Sequence, residues 1–284
     1  MACWSDDSEE ADDGKAPVPS IDLARAILAG YSAKLTTVRC VSMAKGTDEG
    51  LHAMSAQHFP QRPLLVVTDL MGTTLSDHGA VLPAYRAAFA EAVIPFTEEE
   101  LATRRGAHKL SLFTEFALRR YPPEEAARLA GAALQVFEKQ VRDALGAGGG
   151  KEIPGARDAI MRLRSEGIRV ALTSGFNRGL ISEIVAHSGW GDLFDAIVYP
   201  DEVPAGRPAP YLIFQAMQKV LVQPVARVAA IGDTTLDLEA GANAGAGWVI
   251  GVLSGAHDVE MLGRSPHTHL LPSIADLPRL LDIE

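Results

Sequence analysis

The stretch LLVVTD, residues 64–69, determines the fold class of this chain. Four apolar residues and a threonine are followed by an acid, which is the pattern of a short strand buried on both faces. Strands of this kind occur mainly in parallel sheets that helices cover on both sides. We therefore predict that the core begins close to Leu64 and that Asp69 stands at the carboxyl end of its first strand.

Four more strand patterns follow, and each comes directly after a helix pattern. The strands are IRVALTS (168–174), DAIVYP (195–200), RVAAIGD (227–233) and WVIGV (248–252), and the helices are 154–167, 178–189, 209–221 and 236–245. Strands that alternate with helices of this length pair in parallel through right-handed crossovers. The sequence predicts an α/β fold, a doubly wound Rossmann-like parallel sheet.

A helical region interrupts this core after its first strand. Thr97 and Glu100 form a capping-box pattern, and the stretch from Pro122 to Leu145 has prolines and acids in its first turn. We predict a core of residues 63–82 and 148–284 with a helical cap inserted at 83–147, on hinges at 79–83 and 147–150. Residues 1–62 form an N-terminal extension, which we expect to be partly disordered with one short helix at 21–31.

Composition limits the classes of function. The net charge of −10 argues against nonspecific binding to nucleic acid or to an anionic membrane. Apolar runs stay well short of the roughly 20 residues that a membrane span needs. The acidic start lacks the features of a signal peptide, and both cysteines, Cys3 and Cys40, lie in the extension. These features predict a cytoplasmic protein whose partner is a small molecule.

Polar residues follow the predicted core strands. Asp69, Ser174 and Asp233 stand at strand ends, and Arg207 lies in a loop after the strand at 195–200. In open α/β sheets, ligands bind at this edge. A carboxylate can form an aspartyl-phosphate, and an arginine can neutralise charge on a transferring phosphoryl group. Asp69, Asp233 and Asp237 offer the hard oxygen ligands that suit Mg²⁺, so we expect Mg²⁺ as cofactor.

These motifs, in this order, resemble those of the haloacid dehalogenase superfamily over about residues 64–271. The resemblance implies that Asp69 is the nucleophile, that Ser174 and Arg207 contact the phosphoryl group, and that Asp233 and Asp237 help to hold the metal. It also identifies the helical insertion with the cap domain of the family.

One position departs from the phosphatases of that superfamily. They carry a second Asp two residues after the nucleophile as general acid and base, whereas this chain has Met71, whose backbone carbonyl could still serve the metal. Without that acid, an alkoxide leaving group loses a contribution of typically 10²–10⁴-fold.

The phosphonoacetaldehyde hydrolase branch also lacks the second Asp. DLMGTT (69–74) and DEVPAGRPAPYLI (201–213) resemble its motifs, and RRGAHKLS (104–111) places Lys109 at its imine-forming lysine. An imine would accept the electrons of a breaking phosphorus–carbon bond, so position 71 would need no acid. The branch has a histidine and a tyrosine where this chain has Leu112 and Phe176.

The resemblance also implies a substrate-binding set around these groups, namely Gly72, Thr73, Gly175, Arg105 and His108. Gly72 permits the tight turn that aims amides at the phosphate. Lys109 must be neutral to attack a carbonyl, which requires burial or neighbouring cations.

Three functions stay open on the sequence alone. The first is a phosphonatase-like hydrolase, and the second is a phosphomonoesterase that acts on a good leaving group or takes its acid from water or another cap residue. For Lys109 itself, imine formation, a charge-only contact to the substrate and a solvated helix position stay open. The third is a non-catalytic binding protein, which the retained set of catalytic residues argues against. The chain could act as a monomer or a homodimer.

Overall fold

The computed structural model describes residues 61–146 and 150–283. The expectations for residues 1–60 and for the middle of the second hinge lie outside the described residues. The strands are β1 (Leu65–Thr68), β2 (Leu75–Ser76), β3 (Lys151–Glu152), β4 (Arg169–Thr173), β5 (Ala196–Val198), β6 (Val228–Gly232), β7 (Trp248–Val252) and β8 (His269–Leu271). The helices are α1 (Val81–Glu91), α2 (Glu98–Arg104), α3 (Lys109–Leu118), α4 (Pro123–Leu145), α5 (Ala156–Ser165), α6 (Arg178–His187), α7 (Tyr211–Val220), α8 (Thr235–Ala244), α9 (Val259–Gly263) and α10 (Leu277–Leu280).

Six strands form one parallel sheet in the order β5-β4-β1-β6-β7-β8. Counted along the chain within this sheet, the order is 3-2-1-4-5-6, which is that of a doubly wound Rossmann-like fold. The predicted fold class is therefore confirmed. The direction of winding reverses between β1 and β6, and ligands of such folds bind in the crevice at that point.

The first strand is buried on both faces, as its sequence predicted. Val66 packs in a cluster with Ile160 of α5 and Ile181 of α6. Leu65 and Val67 point to the other side, where they pack in a second cluster with residues of α7 and α8. Alternate residues of a strand face opposite sides of the sheet, so a strand in the middle of a three-layer structure must be apolar throughout.

Helices α1 to α4 lie between two short linker strands. β2 and β3 pair antiparallel, with Leu75 opposite Glu152 and Ser76 opposite Lys151, so the chain leaves and re-enters the core side by side. The predicted capping box is present at the start of α2, where Glu100 N donates to Thr97 Oγ1 at 3.2 Å. The first helix begins two residues earlier than the predicted insertion.

Aromatic side chains pack together inside the helical insertion of α1 to α4, which we call the cap. The ring of Tyr85 lies 4.7 Å from that of Phe137 and 6.0 Å from that of Phe113, measured between centroids. Rings at these distances bury large apolar areas and favour tilted or edge contacts. Within residues 61–146 and 150–283, no helix combines the length and the apolar composition needed to cross a membrane.

Candidate active site

One cavity of about 420 Å³ lies between the carboxyl edge of the sheet and the cap. The side chains that the sequence analysis placed at strand ends line it, namely Asp69, Ser174 and Asp233, together with Arg207 from the loop after the strand at 195–200. Two cap residues from the predicted set, Lys109 and Arg105, line its other side. Gly72, Gly175 and Met71 also contribute to the wall, whereas Thr73, His108 and Asp237 do not line this cavity.

Arg207 holds the candidate nucleophile. Its Nη1 donates to Asp69 Oδ1 at 2.6 Å and lies 2.8 Å from Asp237 Oδ1, while Nη2 donates to Thr173 Oγ1 at 2.6 Å. Burial raises the pKa of Asp69, and Arg207 opposes that rise. Burial alone would lower the pKa of Arg207, but Asp237 and Asp69 outweigh it and keep the pKa above its usual value. The ion pair is therefore buried, and the positive charge of Arg207 stabilises the ionised form of Asp69 against the effect of burial.

The resemblance implied that Asp237 helps to hold the metal, but in the structure its carboxylate contacts protein groups. Its Oδ2 accepts hydrogen bonds from Thr234 N at 3.1 Å and from Thr234 Oγ1 at 2.6 Å, in the capping box that starts α8. Its Oδ1 faces Arg207. Both carboxylate oxygens thus contact protein groups, so in this arrangement the residue orients Arg207 and caps a helix.

Asp233 lies in a tight glycine-lined site. A Cβ added at Gly72 would lie 2.3 Å from Asp233 Oδ2, and one added at Gly255 would lie 2.1 Å from it, so only glycine fits at either position. Thr73 Oγ1 donates to Asp233 Oδ1 at 3.3 Å and Ala256 N donates to Oδ2 at 2.6 Å. Thr73 therefore positions a carboxylate, which is not the substrate contact we expected.

The cavity carboxylates fit a hard cation. Burial, followed by the negative charge of Asp69 and then of Asp237, raises the pKa of Asp233. Buried carboxylates that repel each other are stabilised in their charged form by a divalent cation. Asp69 and Asp233 both line the cavity and suit such an ion. No group of three or more His, Cys, Asp or Glu side chains is arranged to hold a metal within the described ranges.

Lys109 stands at the start of α3 and is 4% exposed. Its Nζ donates to the Ala107 carbonyl at 2.9 Å and lies 5.5 Å from the ring centre of Tyr85 and 5.1 Å from that of Phe176. Burial lowers the pKa of Lys109 to about 7, although Asp69 opposes the shift and Arg207 and Arg105 add to it. A large neutral fraction is thus available at neutral pH.

The loop before Lys109 is held against the core. Lys109 N donates to the Gly175 carbonyl at 3.1 Å, and a Cβ added at Gly175 would lie 2.5 Å from the Ala107 carbonyl oxygen. Gly175 thus permits a close approach of cap and core. His108 contacts Ser111 Oγ at 3.0 Å through Nδ1 and stays outside the cavity, so its predicted place beside the substrate has no support in the geometry.

Three residues of the site region were missed from the sequence. Thr173 anchors Arg207, Tyr85 lines the cavity, and His257 joins cap to core because its Nδ1 accepts from Thr235 N at 3.1 Å while its Nε2 donates to the Ala102 carbonyl at 2.9 Å. A signal existed for each. Thr173 is the last residue but one of a predicted strand, His257 lies in the loop after another, and Tyr85 follows Val81 at helical spacing.

Comparison with known proteins assigns the class. A family model described as haloacid dehalogenase-like hydrolase matches residues 64–245. The chain therefore belongs to the haloacid dehalogenase-like hydrolase family.

Relatives point to one branch of that family. Phosphonoacetaldehyde hydrolase of Bacillus cytotoxicus is 36% identical over 109 residues, which are 38% of this chain and 40% of that protein. A protein of the same name from Bacteroides fragilis is 32% identical over 133 residues, 46% of this chain and 49% of that protein. These matches confirm the predicted resemblance. The chain thus spans less than half the length of these two relatives.

Solved structures share the fold. A phosphonoacetaldehyde hydrolase-like protein from Oleispira antarctica superposes with a TM-score of 0.67 at 20% identity, covering 81% of this chain and 96% of that one. A hydrolase from Pseudomonas syringae gives a TM-score of 0.65 at 23% identity, covering 77% of this chain and 98% of that one. At such identities the similarity establishes the fold alone.

Proposed function

We propose that this hydrolase cleaves the phosphorus–carbon bond of a small phosphonate that carries a carbonyl group. Lys109 carries the proposal, because a buried lysine whose pKa is lowered to about 7 lines the same cavity as Asp69 and Arg207. Phosphonoacetaldehyde, the substrate in the names of the relatives, is the simplest molecule of this kind.

The nucleophile in this proposal is Asp69. One of its oxygens attacks phosphorus and forms an aspartyl-phosphate, which water then hydrolyses to regenerate the carboxylate and release phosphate. Arg207 holds Asp69 Oδ1 at 2.6 Å and supplies positive charge beside the phosphoryl oxygens, to which Ser174 can donate a hydrogen bond.

Lys109 provides for the leaving group. Its neutral amine condenses with the substrate carbonyl, releases water and gives a protonated imine. When the phosphorus–carbon bond breaks, its electron pair moves into the iminium and gives an enamine, which takes a proton at carbon and is hydrolysed by water. No general acid is needed at position 71. Met71, which contributes to the cavity wall, fits this requirement because its thioether cannot transfer a proton.

Mg²⁺ belongs to this proposal as cofactor. Asp69 and Asp233 would hold it, with the Met71 carbonyl as a further oxygen ligand. The ion would neutralise phosphonate charge next to the nucleophile. We further propose that residues 83–147 move as a cap on the core of 63–82 and 148–284, about the linkers that flank β2 and β3.

A second candidate function is hydrolysis of a phosphate ester with Lys109 as a fixed charge. Two observations favour it. Lys109 Nζ already donates to the Ala107 carbonyl, and Leu112, 1% exposed, occupies the position where the branch has a histidine.

One experiment separates the two functions. The protein, with Mg²⁺, is incubated with phosphonoacetaldehyde and with phosphate esters, with and without borohydride, and the mass of the Lys109 peptide is measured. Phosphorus–carbon cleavage predicts phosphate release from phosphonoacetaldehyde and a reduced adduct on Lys109. Turnover of esters alone, with no adduct, would reject the first function in favour of the second.

A further inference from the structure

Arg105 is a cation without a carboxylate partner among the described residues. It is partly buried, lines the cavity from the cap and donates from Nη1 to the Ala256 carbonyl at 3.2 Å. The other cavity arginines are paired, since Arg207 contacts two aspartates and Arg86 Nε donates to Glu98 at 2.6 Å. Arg105 therefore has guanidinium donors free to bind an anion.

Tyr85 adds a second unsatisfied donor on the same wall. Its hydroxyl is buried, and no hydrogen-bond partner for it exists in the described part of the chain. The residue is 1% exposed and lines the cavity. A buried hydroxyl without a partner costs about 1–3 kcal/mol, and the large majority of buried polar groups have one. A ligand bound in the cavity would supply the hydrogen-bond partner that this hydroxyl lacks among the described residues.

Both donors belong to the helical insertion and line the cavity, Tyr85 on α1 and Arg105 directly after α2. Arg207 and Ser174 already provide for the phosphoryl group, and Lys109 provides for the carbonyl. Arg105 and Tyr85 line the same cavity. Burial raises the pKa of Tyr85, and the positive charge of Arg105 opposes the rise. A guanidinium and a phenol hydroxyl together match the two oxygens of a carboxylate.

We infer that the organic part of the substrate carries a carboxylate, which Arg105 and Tyr85 bind on the cap. This inference rests on the proposed function and narrows its substrate to a 3-phosphono-2-oxo acid. In such a molecule the carbonyl for Lys109 lies between the phosphonate carbon and the carboxylate. The reaction balances as phosphonate plus water giving phosphate and a 2-oxo acid, with the carbon protonated through the enamine.

Binding of unreactive analogues tests the subsite apart from catalysis. 3-Phosphonopropionate has the carbon chain and carboxylate of the substrate but no carbonyl, and propylphosphonate lacks both. Calorimetry on the full chain with Mg²⁺ should show at least about tenfold tighter binding of 3-phosphonopropionate, as a charge-assisted hydrogen bond provides. Equal affinities for the two ligands would overturn the inference.

Three variants test which residues cause the preference for 3-phosphonopropionate over propylphosphonate. Arg105→Met should bring the two affinities within about twofold, since the lost charge accounts for most of the preference. Tyr85→Phe should reduce the preference severalfold while leaving the melting temperature unchanged or higher, because it removes a buried hydroxyl that has no hydrogen-bond partner among the described residues. Arg86→Met is the matched control, for it removes a paired arginine from the same cavity. A preference that survives Arg105→Met, or that Arg86→Met also abolishes, overturns the assignment.

A kinetic measurement keeps the two proposals distinguishable. If both the proposed reaction and the carboxylate subsite are correct, kcat/KM for 3-phosphonopyruvate exceeds kcat/KM for phosphonoacetaldehyde, and Arg105→Met reverses this order. If neither carbonyl phosphonate releases phosphate while the binding preference persists and depends on Arg105, the proposed reaction fails and the carboxylate subsite stands. If phosphonoacetaldehyde is cleaved and no binding preference exists, the subsite alone is rejected.

Discussion

The ionisation of Lys109 yields the sharpest prediction about catalysis. With a pKa of about 7, in place of the usual 10.5, about half of the amine is neutral at pH 7. A lysine with the usual value would be neutral in roughly one molecule in three thousand at that pH. We therefore expect the neutral, reactive fraction of Lys109 at pH 7 to be on the order of a thousandfold larger than that of an ordinary surface lysine.

The sign of the pH dependence follows from the cause of the shift. Burial disfavours the ammonium form, so the neutral fraction of Lys109 is nearly complete above pH 8 and falls about tenfold per pH unit below pH 6. Nearby Asp69 opposes the shift, and a cation bound at Asp69 would weaken that opposition. The midpoint should therefore move to lower pH when Mg²⁺ is present.

Borohydride trapping with phosphonoacetaldehyde measures this directly. Initial rates of adduct formation are followed by mass spectrometry at a series of pH values, for the Lys109 peptide and for that of Lys139. Lys139 is the internal control, because it is exposed on α4 and pairs with Asp143 across one helical turn. The Lys109 rate should follow a single ionisation with a midpoint near pH 7.

Two results would refute this reasoning. A midpoint near pH 10 would show that the amine is solvated, and equal labelling of Lys109 and Lys139 would show that the reaction is nonspecific. The Lys109→Arg variant then separates the two functions. It keeps the charge and loses the imine, so phosphorus–carbon cleavage should disappear, whereas turnover that depends on charge alone should survive.

Three further predictions concern the nucleophile, the glycine turn and the contact between cap and core. Asp69→Asn should slow phosphate release by at least about a thousandfold while the protein stays folded. A phosphate assay measures the release and thermal melting measures folding; an unchanged rate of release would exclude the covalent mechanism. Gly72→Ala should lower the free energy of unfolding by clearly more than Gly79→Ala. Both glycines have positive φ, near +86° and +77°, but only the Cβ added at position 72 meets other atoms. Equal losses in denaturant titrations would mean that backbone strain alone acts at position 72. His257→Ala should cost about 1–3 kcal/mol of unfolding free energy and increase hydrogen exchange at residues 100–106, because it removes the hydrogen bond from His257 to the Ala102 carbonyl. Unchanged hydrogen exchange would show that this contact does not hold the cap.

Much of the fold was readable because it follows from local pattern. The strand at 248–252 has the bounds that were predicted, and the other predicted strands differ by one or two residues at their ends. β8 was missed because three half-buried residues, His269–Leu271, carry no alternation that distinguishes a strand from a loop. β2 and β3 have two residues each, and they pair only because the insertion brings distant segments together.

The candidate site was readable to the same extent and for the same reason. Parallel strands end at one edge, so Asp69, Ser174 and Asp233 had to lie near one another once the alternation was recognised. Thr73 and His108 were placed by resemblance, and the structure gives them other contacts. Their side chains could have turned either way, because sequence position alone does not fix a rotamer.

By itself, the sequence determined the class of fold, the order of the groups along the sheet edge and the family. Tertiary structure alone decided the surroundings of each side chain: Asp237 faces Arg207, and Lys109 is desolvated among aromatic rings. The Tyr85 hydroxyl is buried with no hydrogen-bond partner in the part of the chain that the structure describes. The physical reason is that periodicity and strand ends are properties of one segment. Desolvation and ion pairing are sums over segments that fold together from distant parts of the chain, and the pKa of Lys109 depends on that sum.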